Sequence, residues 1–146
     1  MDRTYLIVTS VYNAEKWISQ CINSVKNQRY QNFKHIIVDD CSSDGTLDII
    51  KKEISGDDRF VARSKSERHG VLHSHVIGAE ILGSEARDQD VYVHLDGDDW
   101  LVNENALDIV DKAYRKEDCW ATYGNYETTD GSPSVCKDKM KDVSYR

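Results

Sequence analysis

Proline and glycine are scarce in this sequence, which contains one proline and eight glycines among 146 residues. This composition excludes the proline- and glycine-rich tracts that form linkers and low-complexity segments. No apolar run approaches the roughly 18 residues that a membrane-spanning helix needs, and Tyr5–Val8 is too short for the core of a signal peptide. We therefore expect one cytoplasmic domain over residues 1–146, with a polar tail over about 129–146 and no integral membrane segment.

Excess basic charge and paired cysteines are also lacking. The chain has 19 Lys and Arg against 26 Asp and Glu, which gives a formal net charge of −7. Because the affinity for nucleic acid comes mainly from Lys and Arg, we expect no nucleic-acid partner. None of the four cysteines forms a Cys-x-x-Cys pair, so the spacing typical of a zinc knuckle is absent and reduced thiols are expected.

The hydrophobic pattern alternates between short apolar runs and stripes at spacings of three and four residues. The runs predict strands at Tyr5–Thr9, Phe33–Val38, Phe60–Arg63, Val91–Leu95 and Trp120–Tyr126, and the stripes predict four intervening helices. This alternation predicts an α/β fold, a doubly wound, mostly parallel sheet with helices on both faces. Such sheets bind ligands beyond the carboxyl ends of their strands, so the functional residues are expected in the segments that follow the strands.

The segment after the fourth predicted strand carries the clearest chemical signal. Asp96, Asp98 and Asp99 surround Gly97, and carboxylates this close repel one another unless a cation lies among them. Mg²⁺ and Mn²⁺ prefer oxygen ligands, and Mg²⁺ often keeps substrate phosphates as further ligands. Gly97 permits the tight turn that lets Asp96 and Asp98 reach one ion. The alternative is a solvated acidic turn without a metal.

Other candidates follow the first three predicted strands. Tyr12 offers a flat face to a base or sugar, or else packs under the sheet edge. Asp39 and Asp40 follow the second strand, and such a carboxylate can accept a hydrogen bond from a uracil ring or a ribose hydroxyl, or else cap a helix and organise its own loop. The basic segment Arg63–His75, which includes Arg68, suits a diphosphate. Thr9–Asn13 contains no glycine, so neither the phosphate loop nor the dinucleotide fingerprint is present.

Four segments in order resemble family-2 nucleotide-sugar glycosyltransferases of the A-type fold, namely Thr9–Glu15, Ile22–Gln28, Ile37–Thr46 and Leu95–Asp99. The resemblance implies a Rossmann-like nucleotide-binding half and a role in polysaccharide or glycan biosynthesis. It also implies inverting transfer of a sugar from a nucleoside diphosphate, with uridine favoured, to a hydroxyl of a glycan, lipid-linked or protein acceptor, with Mn²⁺ or Mg²⁺ as cofactor. The implied nucleotide-sugar contacts are Thr9, Val11, Tyr12, Asp40, Arg68, Asp96 and Gly97, and the implied metal ligands are Asp96 and Asp98.

The resemblance places the catalytic base well downstream of the Asp-x-Asp motif, and few residues follow Asp99 here. Glu127 and Asp130 are the candidates, since they come soon after the fifth predicted strand. One alternative is a truncated nucleotide-sugar-binding module without turnover, completed by a partner chain or by a second copy in a homo-oligomer. A more distant alternative is a nucleotidyltransferase, which would carry a glycine- and Lys/Arg-rich loop after its first strand.

Overall fold

The structure is a computed structural model that describes residues 3–117, 120–122, 124 and 126–130. Within that part, strands and helices alternate along the chain. In order they are β1 (Tyr5–Val11), α1 (Ile18–Lys26), β2 (Phe33–Asp39), α2 (Thr46–Ile54), β3 (Phe60–Ser64), α3 (Val71–Gly83), β4 (Val91–Asp96) and α4 (Ala106–Lys116). The chain divides into two compact units, Met1–Ile109 and Val110–Arg146, and the division falls inside α4.

The four strands form one parallel sheet in the order β3-β2-β1-β4. In its register Val11 lies beside Asp39, Ser10 beside Asp96, and Asp39 beside Ser64. The carboxyl ends of all four strands therefore meet at one edge. Since β2 and β3 lie on one side of β1 and β4 on the other, the strand order reverses between β1 and β4. The expectation of an α/β fold with a parallel sheet is confirmed.

Helix α3 covers one face of the sheet by packing against β1 and β2. Its Leu82 joins Val8 and Ile36 in a buried apolar cluster. Gly78 is what lets α3 approach so closely, because a Cβ atom at this position would lie 2.3 Å from Cγ1 of Val8. Helix α3 therefore packs directly against β1, whose carboxyl end lies at that edge of the sheet.

Helices α1 and α2 cover the opposite face. They pack against each other, and α2 also contacts β2 and β3. Successive residues of a strand point to opposite faces, so Thr9, whose hydroxyl contacts the thiol of Cys21 in α1, faces away from α3. The buried residues of α1 are the stripe that its sequence predicts, namely Ile18, Cys21, Ile22 and Val25.

The prediction of a fifth strand at 120–126 is wrong for the residues that the structure describes there. Trp120, Ala121, Thr122, Gly124 and Tyr126 belong to no strand and are exposed, Trp120 to 96%. The prediction rested on aromatic and apolar side chains, but a strand also needs neighbours that pair with it and bury those side chains. Residues 123 and 125, and all of the expected polar tail beyond Asp130, lie outside the described residues. No described helix has the length and apolar character needed to cross a membrane.

Candidate functional site

The carboxyl ends of the four strands form one edge of the sheet, which we call the carboxyl edge. The loops that follow β1 and β2 are joined there by hydrogen bonds. The Asn13 N–H donates to the hydroxyl of Ser42 over 2.9 Å, and the Ser43 N–H donates to Oδ1 of Asn13 over 2.8 Å. The Gly45 N–H donates to a carboxylate oxygen of Glu15 over 2.9 Å. The loop that carries Tyr12 is therefore held against the start of α2.

Asp40 organises the neighbouring loop, residues 65–70, which we call the β3 loop. Its side chain is buried and forms an ion pair with Lys65. Its oxygens also accept the N–H of His69 over 2.9 Å and the N–H of Gly70 over 2.7 Å. Burial by itself would raise the pKa of Asp40, but these three donors lower it to about 2. With three donors on it, this carboxylate anchors a loop rather than facing solvent.

The adjacent carboxylate, Asp39, is also used within the protein. It is 1% exposed and accepts the hydroxyl of Ser64 over 3.0 Å and the N–H of Ser42 over 3.3 Å. Both members of the acidic pair therefore fix the loops around the edge, which is one of the two roles that the sequence left open. Such loop bonding is the ordinary role of Asp after a strand. The nucleotide contact that the resemblance implies for Asp40 stays a prediction.

Two of the sequence-predicted binding residues, Tyr12 and Arg68, lie together on the surface. Tyr12 is 40% exposed, and the guanidinium carbon of Arg68 lies 3.8 Å from the centre of its ring. Arg68 is in the β3 loop and Tyr12 follows β1, so the loops that Asp40 and Asn13 anchor bring them into contact.

The side chains of Thr9 and Val11 lie beneath the surface of the site. Thr9 is completely buried, and its hydroxyl hydrogen-bonds Nε2 of His35 over 2.8 Å. Val11 is 3% exposed and packs under Gly97. Both side chains support the floor of the site, because strand interiors bury their side chains on both faces of a covered sheet. The nucleotide-sugar contacts that the resemblance implies at Thr9 and Val11 stay a prediction.

The acidic turn, Asp96–Asp99, adjoins this floor. A Cβ atom on Gly97 would lie 2.6 Å from Cγ2 of Val11, so glycine is the residue that fits. The Gly97 N–H donates to the carbonyl of Ser10 over 3.1 Å, and the Asp99 N–H donates to the carbonyl of Asp96 over 3.0 Å. These bonds fix the turn at the point between β1 and β4 where the strand order reverses, which is where open α/β sheets bind ligands.

The side chains of the acidic turn carry uncompensated negative charge. Asp96, Asp98 and Asp99 are all exposed. Partial desolvation of its carboxyl group, and then the charges of Asp98 and Asp96, raise the pKa of Asp99. Among the described residues, no Lys or Arg pairs with any of the three, and the nearest basic group is Nε2 of His75, 3.7 Å from Oδ1 of Asp96. A cation would relieve this repulsion.

The described residues do not form a complete metal cage, since no group of three or more His, Cys, Asp and Glu side chains is arranged to hold an ion. Such a cage is not required for Mg²⁺-type sites, which commonly use one or two carboxylates together with water and substrate phosphates. The donor set of Asp96 and Asp98 fits an ion of that kind.

His75, which the sequence placed only within the basic segment Arg63–His75, lies next to the acidic turn. It is 7% exposed, its ring packs 4.3 Å from that of His94, and its Nδ1 has no hydrogen-bond partner among the described residues. Burial, followed by the proximity of His94, lowers the pKa of His75. The available signal was its place on the buried stripe of α3 with Ser74, Gly78 and Leu82.

Glu127 and Asp130 belong to the second unit, and both are exposed. The hydroxyl of Thr128 donates to Oδ1 of Asp130 over 2.7 Å. Their assignment as candidates for a catalytic base stays a prediction.

Comparisons with known sequences agree with one another. A sequence model described as Glycosyl transferase family 2 matches residues 6–142. Glycosyltransferase GlyG of Streptococcus pneumoniae is 25% identical over 132 residues, which cover 90% of this chain and 42% of that protein. An uncharacterized glycosyltransferase of Haemophilus influenzae is 32% identical over 124 residues, 85% of this chain and 47% of that protein. The chain thus spans somewhat less than half the length of these relatives.

Solved structures with the same fold include two that hold nucleotide sugars. Staphylococcus aureus TarS 1-349 in complex with UDP-GlcNAc aligns with a TM-score of 0.64 at 21% identity, over 79% of this chain and 32% of that one. Mannosyltransferase PcManGT from Pyrobaculum calidifontis, in complex with GDP-Man and Mn²⁺, aligns with a TM-score of 0.64 at 18% identity, over 76% of this chain and 32% of that one. At these identities the likeness shows the fold.

Proposed function

The chain belongs to glycosyl transferase family 2, and from that premise we propose that it is a metal-dependent glycosyltransferase whose carboxyl edge binds a nucleoside-diphosphate sugar. The observation that carries the proposal is the convergence of an exposed aromatic ring, a guanidinium and an uncompensated acidic turn at the switch point of the sheet. Together they offer a partner for each part of a donor: the base, the diphosphate and its metal ion. The UDP-GlcNAc complex of TarS supports uridine as the base.

In this proposal Tyr12 stacks on the base and Arg68 contacts the diphosphate, whose planar recognition suits a guanidinium. Asp96 and Asp98 would hold a divalent ion, Mn²⁺ or Mg²⁺, and the Mn²⁺ complex of PcManGT favours metal use. When bound, such an ion stabilises the negative charge that develops on the leaving nucleoside diphosphate. Asp40 acts indirectly by anchoring the β3 loop.

Inverting transfer also needs a general base for the acceptor. The bond between the sugar carbon and the new acceptor oxygen forms as the bond to the phosphate oxygen breaks, and the hydroxyl proton passes to a carboxylate. Glu127 and Asp130 are our candidates in this chain. For the acceptor we propose a glycan hydroxyl, since one relative, Bacillus subtilis TuaG, is named as a putative teichuronic acid biosynthesis glycosyltransferase.

A second candidate function is a donor-binding module without turnover of its own. It is favoured by the position of the proposed donor contacts, since Tyr12, Arg68, Asp96 and Asp98 all lie in the first unit, Met1–Ile109. In that case a partner chain or a second copy would supply the acceptor side, while the donor site at the carboxyl edge would be the same.

Calorimetric titration with UDP, GDP and ADP, each with and without Mn²⁺, tests the donor site. We expect one of them, UDP first, to bind in a Mn²⁺-dependent way, and Asp98→Ala to reduce that affinity by at least about tenfold because a metal ligand is lost. Asp88→Ala, which removes an exposed carboxylate outside the edge, is the matched control and should change nothing. If the Asp98 variant binds nucleotide and Mn²⁺ as the parent does, the metal assignment is wrong.

A further inference from the structure

The two groups that the proposed function assigns to base and diphosphate contact each other in this structure. The guanidinium carbon of Arg68 lies 3.8 Å from the centre of the Tyr12 ring, which is the geometry of a cation–π contact. One face of the ring is therefore already covered by a cation. A base that stacks on that face has to displace the guanidinium first.

The backbone on both sides of Arg68 is anchored. Asp40 holds the ammonium of Lys65 on one side and the N–H groups of His69 and Gly70 on the other. The side chain of Lys65 is 9% exposed, so this anchor is screened from water and is stronger than a surface ion pair. Arg68 itself is exposed. Displacement from Tyr12 consequently needs only rotation of the Arg68 side chain, not movement of the β3 loop.

A diphosphate offers the guanidinium a better partner than the ring does. An exposed cation–π contact is weak, whereas paired N–H···O bonds from arginine to phosphate are charge-assisted and directional. A nucleoside without phosphates offers no such replacement, so its base must compete with Arg68 without compensation.

On the basis of the proposed donor site, we propose that Arg68 is a specificity-determining residue whose guanidinium changes its binding partner. In the free protein its guanidinium covers Tyr12, and when a nucleoside diphosphate binds, the guanidinium moves to the phosphates and the base takes its place on the ring. Arg68 thereby favours nucleoside diphosphates over nucleosides in two ways. Its charge attracts the phosphates, and its contact with Tyr12 weakens the stacking of a base that carries no phosphates.

The test compares uridine with UDP by NMR titration of the full chain, both in the presence of Mg²⁺, which unlike Mn²⁺ does not broaden the signals. For Arg68→Ala we expect uridine to bind about two- to fivefold more tightly, because the competing cation is gone, and UDP to bind about tenfold more weakly, because a charged partner of the phosphates is lost. Arg68→Lys keeps the charge without the planar fork and should weaken UDP less than Arg68→Ala.

Two further variants serve as controls. Arg29→Ala removes the same charge from an exposed arginine between α1 and β2, which pairs only loosely with Glu104 at 3.6 Å, and should affect neither ligand. In a Tyr12→Ala background, Arg68→Ala should no longer strengthen uridine binding, because the ring for which the two compete is absent.

Opposite changes for the two ligands support the exchange. If Arg68→Ala weakens uridine as well as UDP, the base stacks on the guanidinium and the exchange is wrong. If neither ligand responds while the parent binds UDP, Arg68 has no role in selection and the donor site stands without it. If the parent binds no UDP at all, the proposed donor site fails, and the exchange fails with it.

Discussion

At the scale of single residues, the carboxylate of Asp40 holds the β3 loop in place at the carboxyl ends of the strands. Three donors hold its carboxylate, and their combined effect outweighs burial and lowers its pKa to about 2. A carboxylate with a depressed pKa stabilises the folded state above its unfolded pKa, and that contribution is lost as the pH falls through the folded pKa. For Asp40 the loss is expected between about pH 4 and pH 2.

Asp40→Asn should therefore lower the free energy of unfolding at pH 7 by about 2 kcal/mol or more, because it removes the partner of the buried Lys65 ammonium. The difference from the parent should shrink as the pH falls from about 4 towards 2, since the parent carboxylate then becomes protonated as well. Urea unfolding followed by circular dichroism at several pH values measures both effects. An Asp40→Asn protein whose deficit stays constant down to pH 2 would contradict the anchoring role.

Residue roles were predicted only in part by the sequence, and the missing part is burial. Tyr12 and Arg68 were expected near a ligand, and the structure brings them together on the surface. The sequence did not show that the side chain of Thr9 is completely buried and bonds His35, and a ligand contact at this position stays a prediction. A motif shows which residues adjoin an edge, whereas the direction of each side chain depends on the covering helices, and these come from distant parts of the chain.

At the scale of elements, α3 depends on one glycine. Gly78→Ala would place a methyl group 2.3 Å from Cγ1 of Val8, so helix or strand must shift, which costs about 1–3 kcal/mol of unfolding free energy. Gly83→Ala is the matched control within the same helix, because nothing lies within 4 Å of its added Cβ. That change should be neutral or stabilising by less than about 1 kcal/mol.

Urea unfolding of both glycine variants measures the difference. Equal stability of the two proteins would mean that α3 does not pack as closely on β1 as the structure has it.

The sequence predicted the elements of the first unit well, because their apolar residues follow regular spacings. The stripe in α1 and the continuous apolar run in β1 correspond to buried positions. The failure at the described residues of 120–126 has the same origin, since the apolar residues described there lack the packing that a strand requires, and Trp120 is 96% exposed. Composition alone does not distinguish a buried strand from an exposed aromatic segment.

At the scale of the whole molecule, the arrangement of strands makes the site. The order β3-β2-β1-β4 places the acidic turn after β4 next to the end of β1, and the loops after β2 and β3 complete the edge. The sequence predicted this convergence from a general rule about strand ends in α/β sheets. For the acidic pair after β2 the sequence left ligand binding and loop bonding open, because the choice depends on the distance to partners such as Lys65, His69 and Gly70.

The formal net charge of −7 makes a metal ion important to this account. A diphosphate that approaches the acidic turn meets like charge, and a divalent cation between them reverses the interaction. Binding of nucleotide and metal should therefore be coupled, and the place where they bind should be the carboxyl edge and no other part of the molecule.

The most direct test is the location of bound Mn²⁺ by paramagnetic broadening of the backbone amide NMR signals, with UDP present and Mn²⁺ substoichiometric. The account predicts broadening centred on the amides of Gly97–Asp99 and extending to Ser10 and Val11, with Lys34 and Asp58 at the opposite edge unaffected, and its loss in Asp98→Ala. Broadening centred away from the acidic turn, or unchanged by Asp98→Ala, would contradict it.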